Sequence, residues 1–282
     1  MSDTANWDLT VSSKNKLINL NFREIIHNRD LIVMFFIRDF KISYKQTILG
    51  PIWHILSPLL TTCAYIFLFS GIAYVKTDGI PVILFYYGGT MLWTLFSTCL
   101  NNASAVFIQN ASIFDKIYFP RLTVPIATTL SAIVKMLIQF ATLMVFLIYY
   151  ILIGHKIRPS LFALLFPVMV IWICVLGTSI GMIMSVLTTK YRDLNMVLAL
   201  VIQLAMFLTP VVYPLSQVPE RFKFVFYINP VSAPMELFRI WFYGAGQVPD
   251  MMIIISIGVT ITVFILGLIL FTHNERTCMD II

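Results

Sequence analysis

The residue types that do chemistry are sparse in this sequence, and their placement narrows what it can catalyse. Six long apolar runs contain a single Asp, Glu, Lys or Arg between them, Lys135. Ion-coupled carriers ordinarily keep ionisable or unwound coordinating groups at mid-membrane, so acid-free runs argue against an ion-driven carrier. No GxxxxGK[ST] loop is present to cradle nucleotide phosphates, so any ATP and Mg must be bound by another subunit. HExxH, GxSxG and CxxC are likewise missing, and the acids are isolated rather than paired as a membrane glycosyltransferase or phosphatase requires. His27, His54, His155 and His273 are scattered, as are Cys63, Cys99, Cys174 and Cys278, which predicts no metal and no disulfide framework.

These residues must be positioned by a membrane-embedded scaffold. Of the 282 residues 59% are hydrophobic and 11% charged, with a mean hydropathy of +0.90. Soluble domains carry about 45–50% apolar and about 25% charged residues. A span needs about 20 apolar residues to cross a hydrocarbon layer of roughly 30 Å. Ile55–Val75, Ile83–Phe107, Leu122–Ile153, Leu161–Leu187, Leu194–Tyr213 and Met251–Phe271 qualify, whereas Leu31–Ile37 is too short. The predicted fold is therefore all-α and membrane-integral with six transmembrane helices. The first apolar run begins late and is poorly flanked for a cleavable signal peptide.

The net charge of +6 is explained by orientation rather than by nucleic acid. With the N-terminus inside, cytoplasmic segments hold twelve Lys and Arg residues and external segments six, so both termini are expected in the cytoplasm. Residues 1–50 form a cytoplasmic N-terminal segment and 51–282 the transmembrane domain.

Three segments outside the spans carry functional expectations. In 28–46, Val33, Phe36, Ile37, Phe40 and Tyr44 recur at helical spacing, with Asp30, Arg38, Lys41 and Lys45 on another side. That pattern predicts an amphipathic helix in the membrane interface, closed by Gly50 and Pro51. The inner loop 108–121, IQNASIFDKIYFPR, mixes Asp115, Lys116 and Arg121 with Ile113, Phe114, Ile117, Tyr118 and Phe119. Such apolar knobs suit docking on a soluble partner, or a helix lying flat on the bilayer. The external segment 214–250 predicts two short helices, Pro219–Ile228 and Ser232–Tyr243, broken at Asn229-Pro230. Their aromatics would let them dip back as a re-entrant hairpin, with Glu220, Arg221, Lys223, Glu236 and Arg239 near headgroups or paired.

The order of motifs then becomes informative. Ile37–Leu60 reads IRDFKISYKQTILGPIWHILSPLL, followed by GIPVILFYYGGTMLWTLFSTCL, NASIFDKIYFPRLTVP, KYRDLN, TPVVYPLSQVP and INPVSAPMELFR. This series resembles the type-2 ABC export permeases of the polysaccharide branch, which export O-antigen, capsule or teichoic acid. Arg38, Asp39, Lys41, Tyr44, Lys45, Gln46, Gly50 and Trp53 occupy the places of the family's entry pattern. The resemblance implies a homodimer of six-span half-transporters in a bacterial plasma (inner) membrane. It also implies two copies of a separate ABC ATPase subunit and a lipid-linked or long-chain polysaccharide moving outward. Asn110–Arg121 takes the role of coupling helix, with Asn110, Ile113, Phe114, Asp115, Lys116, Tyr118 and Arg121 as contact residues. Residues 214–250 become an external gate that includes Glu220, Arg221, Asn229, Pro230, Glu236 and Arg239. Tyr65, Phe69, Phe207 and Tyr213 are candidates to line a pathway formed by the first and fifth spans. Lys135 departs from the family's usual residue; about 20 Å beyond Leu122, it is expected deep in the bilayer, facing protein or pathway. The alternatives are an ABC exporter of another lipid or drug-like substrate, an ATP-independent flippase, and a lipid-linked sugar transferase.

Overall fold

A computed structural model describes residues 28–45, 50–114, 119–191 and 193–277. The described residues are helical, with no strand among them. Helix α1 is Arg29–Tyr44, with Asp30 in its first turn and Lys41 in its last, both favourable for the helix dipole. Helix α2, Trp53–Tyr65, continues as a π-helical stretch, Ile66–Ile72. Pro58 inside it removes one backbone donor. Helix α3, Val82–Ser104, starts directly after Pro81. Two single-turn helices, Val106–Gln109 and Ala111–Phe114, form the inner loop. Helix α4 is Thr123–Leu152, and α5 is Phe166–Lys190, entered through the 3-10 turn Leu161–Leu165. Helix α6 is Leu194–Ala205, α7 is Glu220–Ile228, α8 is Ser232–Tyr243 and α9 is Asp250–Thr277.

Among the described residues, five helical segments are long and apolar enough to cross a membrane: Trp53–Ile72, Val82–Ser104, Thr123–Leu152, Leu161–Lys190 and Asp250–Asn274. The expected span Leu194–Tyr213 differs. Only its first 12 residues, α6, are helical, about 18 Å of rise. The chain then proceeds by turns through 206–211. Pro210 and Pro214 lack the backbone donors that would continue the helix.

Helix α3 is the hub. In an 18-residue stretch of its span 72% of the residues are buried, against 11% in that of Trp53–Ile72 and 17% in that of α9. Its most extensive partner is α5, and glycine makes that approach possible. A Cβ on Gly177 would lie 2.7 Å from the Phe96 carbonyl oxygen, and one on Gly181 would lie 2.5 Å from that of Leu100. These i, i+4 glycines form the small-xxx-small stripe that lets membrane helices touch backbone to backbone. On the other side of α5, a Cβ on Gly267 of α9 would lie 2.8 Å from the Ser179 carbonyl oxygen. Trp172 Nε1 donates to Thr260 Oγ1 at 3.0 Å across the same pair.

Two smaller apolar clusters close the ends. At the end carrying α1, called inner here, Phe35, Phe107, Phe114, Phe119, Val124, Ala127, Met182 and Phe271 pack together. At the outer end, Leu215, Val218, Phe226, Ala233 and Met252 join α7 and α8 to the start of α9. The hairpin helices match the expected bounds within one residue, and Gly244, with a left-handed φ of 71°, caps α8.

Candidate functional site

At the inner end, the expected interface helix and the expected inner-loop element are joined. Arg38 Nη1 donates to Asn110 Oδ1 at 3.1 Å, while its Nε and Nη2 donate to Asp39 Oδ1 at 3.0 and 2.9 Å. Asn110 is buried and its Nδ2 donates to the Val106 carbonyl at 3.0 Å, so the loop's turn is held from both sides. The Phe35 ring lies 5.5 Å from Phe119, whose ring lies 5.5 Å from Phe114. Arg121, also buried, places its guanidinium 5.2 Å from the Phe114 ring centre and 5.9 Å from that of Phe107.

This geometry corrects one expectation. Phe114 does not stand out as a docking knob; it is 6% exposed and belongs to the inner cluster. A ring that can fill a partner's cleft can equally fill the gap between α1, α4, α5 and α9, and here four neighbouring apolar elements are within reach. The loop's outward face is instead Ile108, Gln109 and Ser112, with Ile113 half-buried. Asp115, Lys116 and Tyr118 lie outside the described residues. In α1, Val33 and Ile37 of the expected apolar face are exposed and Phe36 and Phe40 half-buried, as a helix in the membrane interface would leave them, and a neighbouring side packs on the bundle. Phe35 is buried there, with Arg38 and Asp39 half-buried beside it, while Val33, Met34 and Ile37 are exposed. The helix therefore turns one apolar side to the protein and another outward, and Lys41 and Lys45 are exposed. Tyr44 is its last residue.

Lys135 lies within α4. It shares an electrostatic neighbourhood with Asp39 of α1 and His54, the second residue of α2. Its side chain is half-buried, within the helix Thr123–Leu152 that is long and apolar enough to cross a membrane. Helix α4 packs on α1, and Val124 and Ala127 near its start belong to the inner cluster with Phe35.

The pathway candidates fall into separate groups. Tyr65 meets Phe69 edge-on at 5.8 Å between centroids, and Phe69 stacks on Tyr86 at 6.4 Å. Tyr65 Oη also meets Met206 Sδ at 3.5 Å, which brings the first and fifth runs together. Phe207 is exposed, and its carbonyl accepts from the Tyr213 hydroxyl, whose ring packs on Phe226. Lys135 joins neither group.

The hairpin residues divide by burial. Glu220 and Lys223 pair at 2.6 Å on the exposed face, and Arg221 lies over Phe222. Glu236 and Arg239 are buried, 1% and 3% exposed in their side chains, and pair at 2.5 Å. Arg239 Nη2 also donates to the carbonyls of Pro210 and Val211 at 2.5 and 3.3 Å, and its guanidinium lies 4.0 Å from the Phe85 ring centre. Asn229 Nδ2 donates to the Leu208 carbonyl and Thr209 Oγ1, and the Pro230 carbonyl accepts from Ser256. The irregular stretch 206–211 is thus satisfied by side chains of the hairpin, as buried polar backbone in a membrane protein must be. Sequence reasoning missed Asn110–Arg38 and the Gly177/Gly181 stripe; the GTSIG spacing was the available signal for the latter.

Comparison with known proteins follows the same architecture. Residues 30–243 match the protein family described as ABC-2 type transporter. One relative, an O-antigen export system permease protein RfbA of Klebsiella pneumoniae, is 28% identical over 255 residues, 90% of this chain and 95% of its own. A second Klebsiella pneumoniae protein of that name is 30% identical over 72% of this chain and 76% of its own. The polysialic acid transport protein KpsM of Escherichia coli is 23% identical over 72% of this chain and 78% of its own. The matched region runs from the interface helix to the end of the external hairpin, and the chain belongs to the ABC-2 type transporter family of membrane proteins.

Proposed function

We propose that the chain is the permease subunit of an ATP-driven exporter that moves lipid-linked or long-chain polysaccharide out of the cytoplasm. The observation that carries this reading is similarity to an O-antigen export permease across 90% of the chain. In the working assembly two copies form the pathway in a bacterial plasma membrane and two copies of a separate ATPase subunit bind ATP and Mg. The faces of α2 and α9 left exposed suit lipid and a second copy. The fifth run completes a sixth crossing as a composite of α6 and the turns after it, which keeps both termini cytoplasmic.

Energy must enter through the inner end, because the sequence has no phosphate loop. The inner loop is suited to receive it. Its outward residues Ile108, Gln109 and Ser112 are free for contact, while Asn110, Phe114 and Arg121 tie it to α1, α4, α5 and α9. A push on the outward face is then delivered to four helices together. The test is co-purification of an ABC ATPase with the chain, followed by ATP-dependent movement of lipid-linked glycan across proteoliposomes. An assembly that hydrolyses ATP without moving glycan would refute the substrate assignment.

A further inference from the structure

The loop that joins α4 to α5 lies at the outer end and carries only positive charge. Residues 149–165 read YYILIGHKIRPSLFALL, which includes His155, Lys156 and Arg158 and no Asp or Glu. All three residues are exposed, and neither Lys156 nor Arg158 has an ion-pair partner among the described residues. The loop is nonetheless fastened to the protein. Ile157, between the two cations, is half-buried against the main apolar cluster. Ser160 donates its backbone N–H to the Trp241 carbonyl of α8 at 2.8 Å, and a Cβ on Gly244 would lie 3.0 Å from the Arg158 carbonyl oxygen. The Tyr150 ring meets that of His155 edge-on at 5.1 Å. The level of the loop follows from its flanks. Helix α4 and the segment Leu161–Lys190 are each long and apolar enough to cross a membrane. Leu152, the last residue of one, and Leu161, the first of the other, are 80% and 82% exposed, with Tyr149, Phe162 and Leu164 exposed beside them. The eight residues between, 153–160, therefore lie where hydrocarbon gives way to headgroups, the level that tyrosines such as Tyr149 and Tyr150 favour.

Two cations anchored at headgroup level, with exposed apolar side chains on the membrane side and no acid in the loop, are complementary to an anionic lipid. We propose that the loop 155–158 is a binding site for the headgroup of an anionic phospholipid, whose acyl chains run along Leu152, Leu161 and Leu164. Lys156 and Arg158 hold the phosphate, and the His155 ring lies at its edge. A second copy of the chain is a poorer occupant, because charged side chains are depleted from the cores of protein interfaces. The bound lipid is a constituent of the bilayer, separate from the exported glycan. That the leaflet is the outer one rests on the export reading above; the binding itself does not.

The experiment titrates the full chain, purified in a neutral detergent, with dioleoylphosphatidylglycerol and follows bound lipid by native mass spectrometry. Dioleoylphosphatidylcholine is the zwitterionic reference and inorganic phosphate the competitor. The expected result is preferential binding of phosphatidylglycerol, weakened about fivefold by Lys156→Gln, about fivefold by Arg158→Gln and about 25-fold by both, as roughly 1 kcal/mol per cation at a membrane surface implies. Both positions are exposed, so the variants carry little risk to folding. Lys223→Gln is the control at the same end; that lysine is already paired with Glu220, and its loss should leave the affinity unchanged. A diazirine-bearing phosphatidylglycerol should label the peptide 149–165 in wild type. Unchanged affinity in the double variant overturns the site, and so does labelling confined to other peptides. An equal loss in Lys223→Gln overturns it in favour of diffuse surface charge, equal affinity for phosphatidylcholine removes headgroup recognition, and displacement by inorganic phosphate makes it a site for a free anion. The leaflet is tested apart from the binding. A C-terminal tag protected from protease added to spheroplasts places the loop outside. Cleavage of that tag overturns the orientation of the export reading and leaves phospholipid binding standing, whereas loss of the site leaves the export reading standing.

Discussion

Replacing Arg239 by Met tests whether the external hairpin is clamped rather than free. The side chain is 3% exposed and serves Glu236, two carbonyls of the broken stretch and the face of Phe85. Its loss leaves a carboxylate that is 1% exposed with its ion-pair partner gone. Breaking one side of a buried pair typically costs about 3–5 kcal/mol. The carbonyls of Pro210 and Val211 lose their donor as well, about 1 kcal/mol each or more in a dry site. Arg239→Met should therefore cost about 5–7 kcal/mol at the outer end. The double variant Glu236→Leu with Arg239→Met removes the stranded charge and leaves only the orphaned carbonyls. It should cost about 1–3 kcal/mol, less than the single substitution.

The assay is apparent thermal unfolding of the purified chain in nanodiscs for wild type, each single variant and the double. For a chain of this size each kcal/mol shifts the midpoint by about 2–4 °C. Arg239→Met should then fall by roughly 10 °C or more, and the double variant should recover at least a third of the loss. A double variant as destabilised as the sum of the singles would show no coupling between the charges. An Arg239→Met midpoint equal to wild type would refute the clamp altogether, and the hairpin would have to be held by Asn229 and the apolar contacts of α7 and α8.

Phe114→Ala should lower thermal stability by about 3–5 kcal/mol, as for a buried core ring, and Phe114→Leu by about 1 kcal/mol; an unchanged midpoint with lost ATPase coupling would return Phe114 to a docking role. Gly181→Leu should prevent α3 and α5 from closing, since even a Cβ meets the Leu100 carbonyl oxygen at 2.5 Å; the expected readout is loss of monodisperse protein after purification, and normal yield would refute the close approach. A photo-crosslinking residue at Ser112 should capture the ATPase partner while one at Phe114 captures none, and the reverse pattern would invert the assigned faces of the loop.

The long helices were legible because a continuous apolar run of about 20 residues has one stable outcome in a bilayer, and local sequence decides it. The two hairpin helices were legible for a similar local reason, with Asn229-Pro230 as the break between them. What the sequence left open depends on partners distant in the chain. The stretch after Ala205 is as apolar as a span, yet its prolines release carbonyls that only Arg239 and Asn229, about twenty to thirty positions later, can satisfy. Phe114 was misread because aromatic content says that a ring must be buried and not against what. The answer came from Phe35, Phe107, Phe119 and Phe271, spread over most of the chain.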